Sequence, residues 1–265
     1  MKKENTFIGS GHIVEAMVAG MIRGGIFPEN LIVSNPSGSN LARMAEKYGI
    51  QTSMDNIRAI DGADLIFLGV KPKPIKPVLK QIGESVGDRI LVSMAACVPI
   101  SFFESYKAVR IMPNIPVSVN QGVIGLLANN RVSEQESLEL KNLLDKLGLV
   151  IEVKTDGELD LITTLSGCGP GVAAYLMNLI SEYGTQGGLS QEVSIQIVTQ
   201  TFMGTLAYMS ESGISAGELV VSVATKGGVT EKIISTLAQN NLTDILHSSL
   251  AAGYNRIKEV RDSLI

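Results

Sequence analysis

The chain has 265 residues, 45% of them hydrophobic and 18% charged, with a formal net charge of −4. That composition belongs to a folded globular protein, and it creates no field that would draw in nucleic acid or an anionic membrane. Trp is absent, and two cysteines (Cys97, Cys168) and two histidines (His12, His247) are too few and too scattered for a zinc site, a thioredoxin-like pair or a Ser-His-Asp triad. No metal site is expected. This cysteine usage fits a reducing, cytoplasmic compartment. The opening MKKENTFIGSG reads as too short and polar for a signal peptide, and no apolar run reaches membrane-spanning length.

In chain order, residues 6–9 read as a strand, followed by a glycine loop and a helix over residues 12–24. Strands are expected at 31–34, 50–52 and 65–70, with a helix at 39–48 between the first two. The run Leu-Ile-Phe-Leu-Gly-Val at 65–70 is apolar throughout, as a central parallel strand buried on both faces must be. A short helix at 77–83 and strands at 89–93, 109–112 and 122–128 follow. Residues 133–147 predict a helix with Ser133 as N-cap and acids in its first turn. A strand at 149–153 completes a βαβ series.

After residue 155 the pattern turns helical. A long apolar helix over 158–183 should be kinked or broken by Pro170. Further helices are expected at 191–210, 215–225, 229–239 and 242–264. The expected architecture is an α/β Rossmann domain over residues 1–155 followed by an all-α domain over 156–265. Several of the later helices are apolar on most faces, which implies burial against a second copy of the chain.

Gly9-Ser10-Gly11-His12-Ile13-Val14 joins a strand to a helix. Gly9 permits the tight turn, Gly11 admits a pyrophosphate to the backbone, and the helix N-terminus supplies N–H donors. The third glycine of the usual pattern is Val14, so helix and strand should separate slightly. An NAD site usually places an acid after the second strand to hold the ribose 2′-OH. Residues 34–40 contain no acid. That turn, with Arg43 nearby, favours NADPH, with NADH as the alternative.

Four segments then carry a resemblance: Val70-Lys71-Pro72, the Arg-Ile-Met-Pro-Asn-Ile-Pro run at 110–116, the Leu-Ser-Gly-Cys-Gly-Pro run at 165–170, and the Thr-Lys-Gly-Gly-Val-Thr run at 225–230. In order and spacing, over nearly the whole chain, they are similar to the pyrroline-5-carboxylate reductase family. The resemblance implies a Rossmann domain, a helical dimerisation domain in a homodimer or larger assembly, and NAD(P)H-dependent reduction of the cyclic imine 1-pyrroline-5-carboxylate to proline. It implies cofactor contacts at Ser10, Gly11, His12, Ile13, Val14, Ser34, Asn35, Asn56, Val70, Lys71, Pro72, Ala95, Ala96 and Cys97, alongside Gly9. It also implies a substrate loop of Thr225, Gly227, Gly228, Val229 and Thr230, with the Thr230 hydroxyl at the imine nitrogen. An iminium carbon is already electrophilic, so a hydroxyl that hydrogen-bonds the nitrogen and a wall that holds geometry suffice without a metal or nucleophile.

The chain departs from the family pattern in places. Lys226 stands where the family has Pro, Cys168 where it has Ser, Gly171 where it has Ala, and residues 215–221 lack its Arg-Asp pair. Relatives associated with competence share the Cys-Gly-Pro and Lys-Gly-Gly-Val-Thr segments. The alternatives are therefore a reductase for another cyclic imino acid or a catalytically silent nucleotide-binding paralogue. A 3-hydroxy-acid dehydrogenase is disfavoured, because no lysine lies between Asp156 and Thr225.

Overall fold

The computed structural model of the chain describes residues 4–263. Among the described residues eight strands form one sheet in the order β3-β2-β1-β4-β5-β6-β7-β8. Strands β1 (Asn5–Ile8), β2 (Leu31–Ser34), β4 (Leu65–Leu68) and β5 (Ile90–Ser93) are buried at every residue. Together with β3 (Gln51–Ser53) and β6 (Ala108–Pro113) they pair in parallel, and the order reverses direction between β1 and β4. This is the doubly wound dinucleotide-binding arrangement, whose ligand crevice lies outside the carboxyl ends of the strands at that reversal.

β7 (Gly122–Ala128) runs antiparallel to β6, and β8 (Gly148–Glu152) parallel to β7. Only a short 3-10 turn, Ile115–Val119, lies between β6 and β7. A parallel return needs a crossover of about a dozen residues, so the chain reverses instead.

Helices α1 (His12–Arg23), α2 (Gly38–Tyr48) and α5 (Glu134–Leu144) cover one face of the sheet, where Met17, Met44 and Leu140 pack with Phe7 and Phe67. The two phenylalanine rings stack across β1 and β4 at 4.6 Å. Helices α3 (Asn56–Ile60) and α4 (Ile75–Val86) cover the other face, with Ile60, Leu79 and Ile82 against Ile8 and Ile66. The alternation of Phe7 and Ile8 between the two cores is the period-2 pleat of β1. α3 is too short to show a helical period in sequence; Asp55 starts it by accepting from the N–H groups of Ile57 and Arg58. Ser133 caps α5 as expected, in a capping box with Glu136.

The expected long helix over 158–183 is two helices, α6 (Asp156–Ile162) and α7 (Gly169–Gln186), with a π turn at Thr163–Gly167 between them. The Thr163 and Thr164 hydroxyls donate back to the Leu159 and Asp160 carbonyls, at 2.8 and 3.0 Å. Such back-bonding competes with the backbone ladder, and the Cys168 N–H bonds the Thr163 carbonyl in the i→i+5 manner. Pro170 does not kink a continuing helix. It sits in the first turn of α7, where its missing N–H costs nothing.

Helices α8 (Gln191–Ser212), α9 (Ala216–Val223), α10 (Val229–Gln239) and α11 (Leu242–Asp262) complete the chain. One compact unit takes in the chain through Pro170 and again from Gly253; the other is Gly171–Ala252. In the second unit only Ser181, Ser194 and Val198 are buried. Tyr183, Val221 and Val229 are each more than three-quarters exposed. A unit of this size with a single buried apolar residue presents a surface that monomeric proteins avoid.

Candidate active site

Gly9 follows β1 with φ +112, and a Cβ there would lie 2.6 Å from the Gly69 carbonyl oxygen. Only glycine meets both conditions. Around Gly11 the opposite holds: a Cβ would meet nothing within 4 Å. Gly11 is the N-cap of α1 and no side chain caps it, so the first-turn N–H groups face open space with a positive helix terminus behind them. The residues present fit a pyrophosphate. His12 and Ile13 begin the helix, His12 exposed and Ile13 half-buried. Val14 is fully buried, and the room for it comes from Gly69 at the end of β4, whose Cβ would lie 2.1 Å from Val14 Cγ2.

The β2 turn is tied to this loop. Asn35 Nδ2 donates to Ser10 Oγ at 2.6 Å, and Asn40 Nδ2 to the Ser10 carbonyl at 2.8 Å. Ser34 is fully buried and donates to Asn56 Oδ1 at 2.8 Å, while Asn56 Nδ2 reaches Gln81 Oε1. Ser34 and Asn56 therefore brace the turn, and half-buried Asn35 and exposed Ser37 form its outer surface. Arg43 does not point free toward that turn. Its guanidinium forks onto the Glu15 carboxylate at 2.8 and 2.5 Å, which Lys47 and Tyr48 also approach. The Arg43 bond, foremost, holds the Glu15 pKa down to about 2.

Val70, Lys71 and Pro72 follow β4, and Ala95, Ala96 and Cys97 follow β5. Lys71 is exposed, Val70, Pro72 and Ala96 are half-buried, and Cys97 is nearly enclosed with φ +66. Burial pushes the Cys97 thiol up, and the Asp160 carboxylate adds to the shift. All the candidate cofactor residues thus gather at the carboxyl ends of β1, β2, β4 and β5, with Asn56 at the start of α3. A hollow of about 720 Å³ lies elsewhere, against Asn5, Leu65 and Ile90 at the other ends of the strands. The glycine loop does not line that hollow, so it is not the cofactor site.

Two residues of the 110–116 run, Arg110 and Asn114, have structural roles near this edge that the sequence did not assign. Asn114, after β6, accepts from the Val123 N–H and donates to the Ser166 carbonyl at 3.1 Å, pinning the π turn to the sheet. Arg110, only 1% exposed, pairs with Asp156 at the start of α6, which also accepts from the Ile100 N–H. Burial pulls the Arg110 pKa down and Asp156 opposes it. A charged residue inside an apolar strand run was the available signal.

In the other unit, residues 225–228 form a turn closed by the Gly228 N–H on the Thr225 carbonyl at 2.8 Å. Gly227 has φ +75, the third-position requirement of a type II turn. Lys226 sits at the second position, where Pro is favoured but not required. A Cβ on Gly228 would lie 2.7 Å from Thr225 Oγ1. Gly228 is the N-cap of α10 without a side-chain cap. The Glu231 carboxylate accepts from the Gly227 N–H at 2.5 Å. Of the backbone donors offered by sequence to a substrate carboxylate, Gly227 and Gly228 are therefore engaged internally, and the first-turn donors of α10 remain. The half-buried Thr230 hydroxyl makes no hydrogen bond among the described residues. Residues 215–221, which lack the charged pair, instead start α9 with a Ser215–Glu218 capping box. Among the described residues no three His, Cys, Asp or Glu side chains come together as metal ligands, and no helix is long and apolar enough to cross a membrane.

Comparison with known proteins accords with this geometry. Residues 156–260 match the family described as pyrroline-5-carboxylate reductase dimerisation, and residues 5–97 match NADP oxidoreductase coenzyme F420-dependent. Pyrroline-5-carboxylate reductase 3 of Danio rerio is 33% identical, covering 96% of this chain and 90% of that protein. A solved pyrroline-5-carboxylate reductase from Coxiella burnetii superposes with a TM-score of 0.88 at 32% identity, covering 98% of both chains. The Plasmodium falciparum pyrroline carboxylate reductase, solved with NADP bound, shares the fold at a TM-score of 0.90 and 24% identity, covering 98% of this chain and 99% of that one. The conserved-length match, the glycine cradle and the helical second unit together place this chain in the pyrroline-5-carboxylate reductase family.

Proposed function

We propose that the protein reduces 1-pyrroline-5-carboxylate to L-proline with NADPH, as a homodimer or an assembly of dimers. The observation that carries the reading is the start of α10: an unpartnered Thr230 hydroxyl beside uncapped first-turn N–H groups. Those are the two donors that an imino acid asks for, one at its ring nitrogen and one at its carboxylate. Val229 and Thr230 offer the carboxylate their open N–H groups, Gly227 offers its own in exchange for its bond to Glu231, and the turn built by Thr225, Gly227 and Gly228 holds these donors in place. Thr230 holds the imine nitrogen so that the adjacent carbon stays electrophilic.

When bound, NADPH supplies the hydride. Gly9, Ser10, Gly11, His12, Ile13 and Val14 hold its pyrophosphate end. Asn35, Ser37 and the start of α2 take the 2′-phosphate, with Ser34 and Asn56 bracing them. Val70, Lys71, Pro72, Ala95, Ala96 and Cys97 line the remaining wall. A cytoplasmic location accords with two thiols that are both free.

Loss of NADPH absorbance on adding 1-pyrroline-5-carboxylate, with stoichiometric L-proline, is the expected result. A silent nucleotide-binding paralogue is the competing reading, favoured by Lys226 at the turn and by the missing charged pair. It requires NADPH binding with no oxidation by any cyclic imine.

A further inference from the structure

We propose that Glu231 is an internal competitor for the substrate carboxylate, so that it sets the affinity and acid selectivity of the imine site. The proposal rests on the reading of residues 225–230 as the carboxylate-binding loop. Glu231 is the third residue of α10, and its Oε2 accepts from the Gly227 N–H at 2.5 Å. Gly227 precedes the N-cap, and the N-cap's own N–H is taken by the Thr225 carbonyl. The chain's own carboxylate thus lies on the N-terminal end of α10, where a bound imino acid would place its carboxylate.

Two consequences follow from charge and donor number. A second carboxylate arriving at this helix start meets a like charge within a few ångströms, which opposes binding. It also finds the Gly227 donor in use, and a charge-assisted hydrogen bond must be exchanged rather than simply gained. Glu231 therefore leaves the Gly227 N–H when the substrate carboxylate engages it, and the substrate binds with less net gain than the geometry of the loop alone would allow. An uncharged imine meets no such competitor. The selectivity of the loop for acids is lowered by Glu231, and the affinity for the acid product falls by the same factor, because L-proline carries the same carboxylate.

A plain helix-capping role has the opposite sign. If Glu231 only orders the turn, its removal loosens the donors and weakens acid binding. The test compares Glu231→Ala and Glu231→Gln with wild type, using 1-pyrroline-5-carboxylate, the ring without its carboxylate (1-pyrroline), and calorimetric binding of L-proline to the NADP-loaded protein. Glu231→Ala should lower KM for the acid by about threefold to tenfold and tighten L-proline by the same factor, with no such gain for 1-pyrroline. Glu231→Gln, which keeps an uncharged acceptor, should fall between. An unchanged or raised acid KM in both variants overturns the role of Glu231. Equal KM for the two imines in the wild type and in both variants overturns the carboxylate loop itself, which is a separate failure.

Discussion

Val14 and Gly69 share one space between α1 and the end of β4: a Cβ on Gly69 would lie 2.1 Å from Val14 Cγ2. In the usual loop pattern a third glycine on the helix lets helix and strand approach. Here the helix carries the bulk and the strand end carries the glycine. The volume is conserved while its donor has moved across the interface.

That exchange predicts a coupled pair. Gly69→Ala alone should cost about 1–3 kcal/mol through overpacking, with Met94 crowding the same spot from the other side. Val14→Ala alone should cost a similar amount through a cavity. The double variant should recover most of the loss, because the two changes are complementary. Urea melts of the three proteins decide it, and simple addition of the single losses would contradict a shared space.

The acid-free β2 turn predicts cofactor choice. Asn35→Asp would set a carboxylate beside the proposed 2′-phosphate position, on a side chain that already touches Ser10. One like charge at about 6 Å in a medium of intermediate dielectric is worth about 1.4 kcal/mol, or about tenfold. The ratio of NADPH to NADH in kcat/KM should drop by that factor. An unchanged ratio would place the 2′-phosphate elsewhere.

Thr230→Ala removes the hydroxyl proposed to hold the imine nitrogen. Loss of one well-placed donor to a developing charge typically costs about 100-fold in kcat. NADPH binding, followed by fluorescence, should be unaffected. Equal turnover in the variant would strip Thr230 of its role.

Acid should weaken the fold through Glu15. Its pKa in the fold is about 2 against an ordinary 4.5, foremost because of Arg43. Glu136 is likewise held at about 2, foremost by Lys107. A carboxylate depressed by folding contributes fully above its unfolded value, and the contribution is lost as the pH falls through the folded value. The urea midpoint should therefore decline between pH 4.5 and 2. Glu15→Gln should show a shallower decline, and added salt should shrink the difference because Arg43 is about half exposed.

The strands, the glycine loop and the Ser133 cap were legible because each is set within a few residues. A buried parallel strand is an apolar run, a positive φ calls for glycine, and Ser133 with Glu136 is a box readable at four positions. The short α3 was not legible, since five residues show no period. Nor was the π turn, because it depends on what Thr163 and Thr164 do with their hydroxyls once a helix has formed. Arg43 looked available to a phosphate in sequence; Glu15, on another helix, had already taken it.

The Gly9-Ser10-Gly11 loop, its place between strand and helix, and the acid-free turn after β2 were determined by sequence alone, because backbone sterics and local charge act over short stretches. The pairing of Val14 with Gly69 joins residues 55 positions apart, and the reversal at β7 depends on the length of a connection rather than its composition. The grip of Glu231 on Gly227 depends on where a helix begins. Tertiary structure decided these, since each is a matter of which atoms share a volume or a donor, and that is set only when the chain has packed.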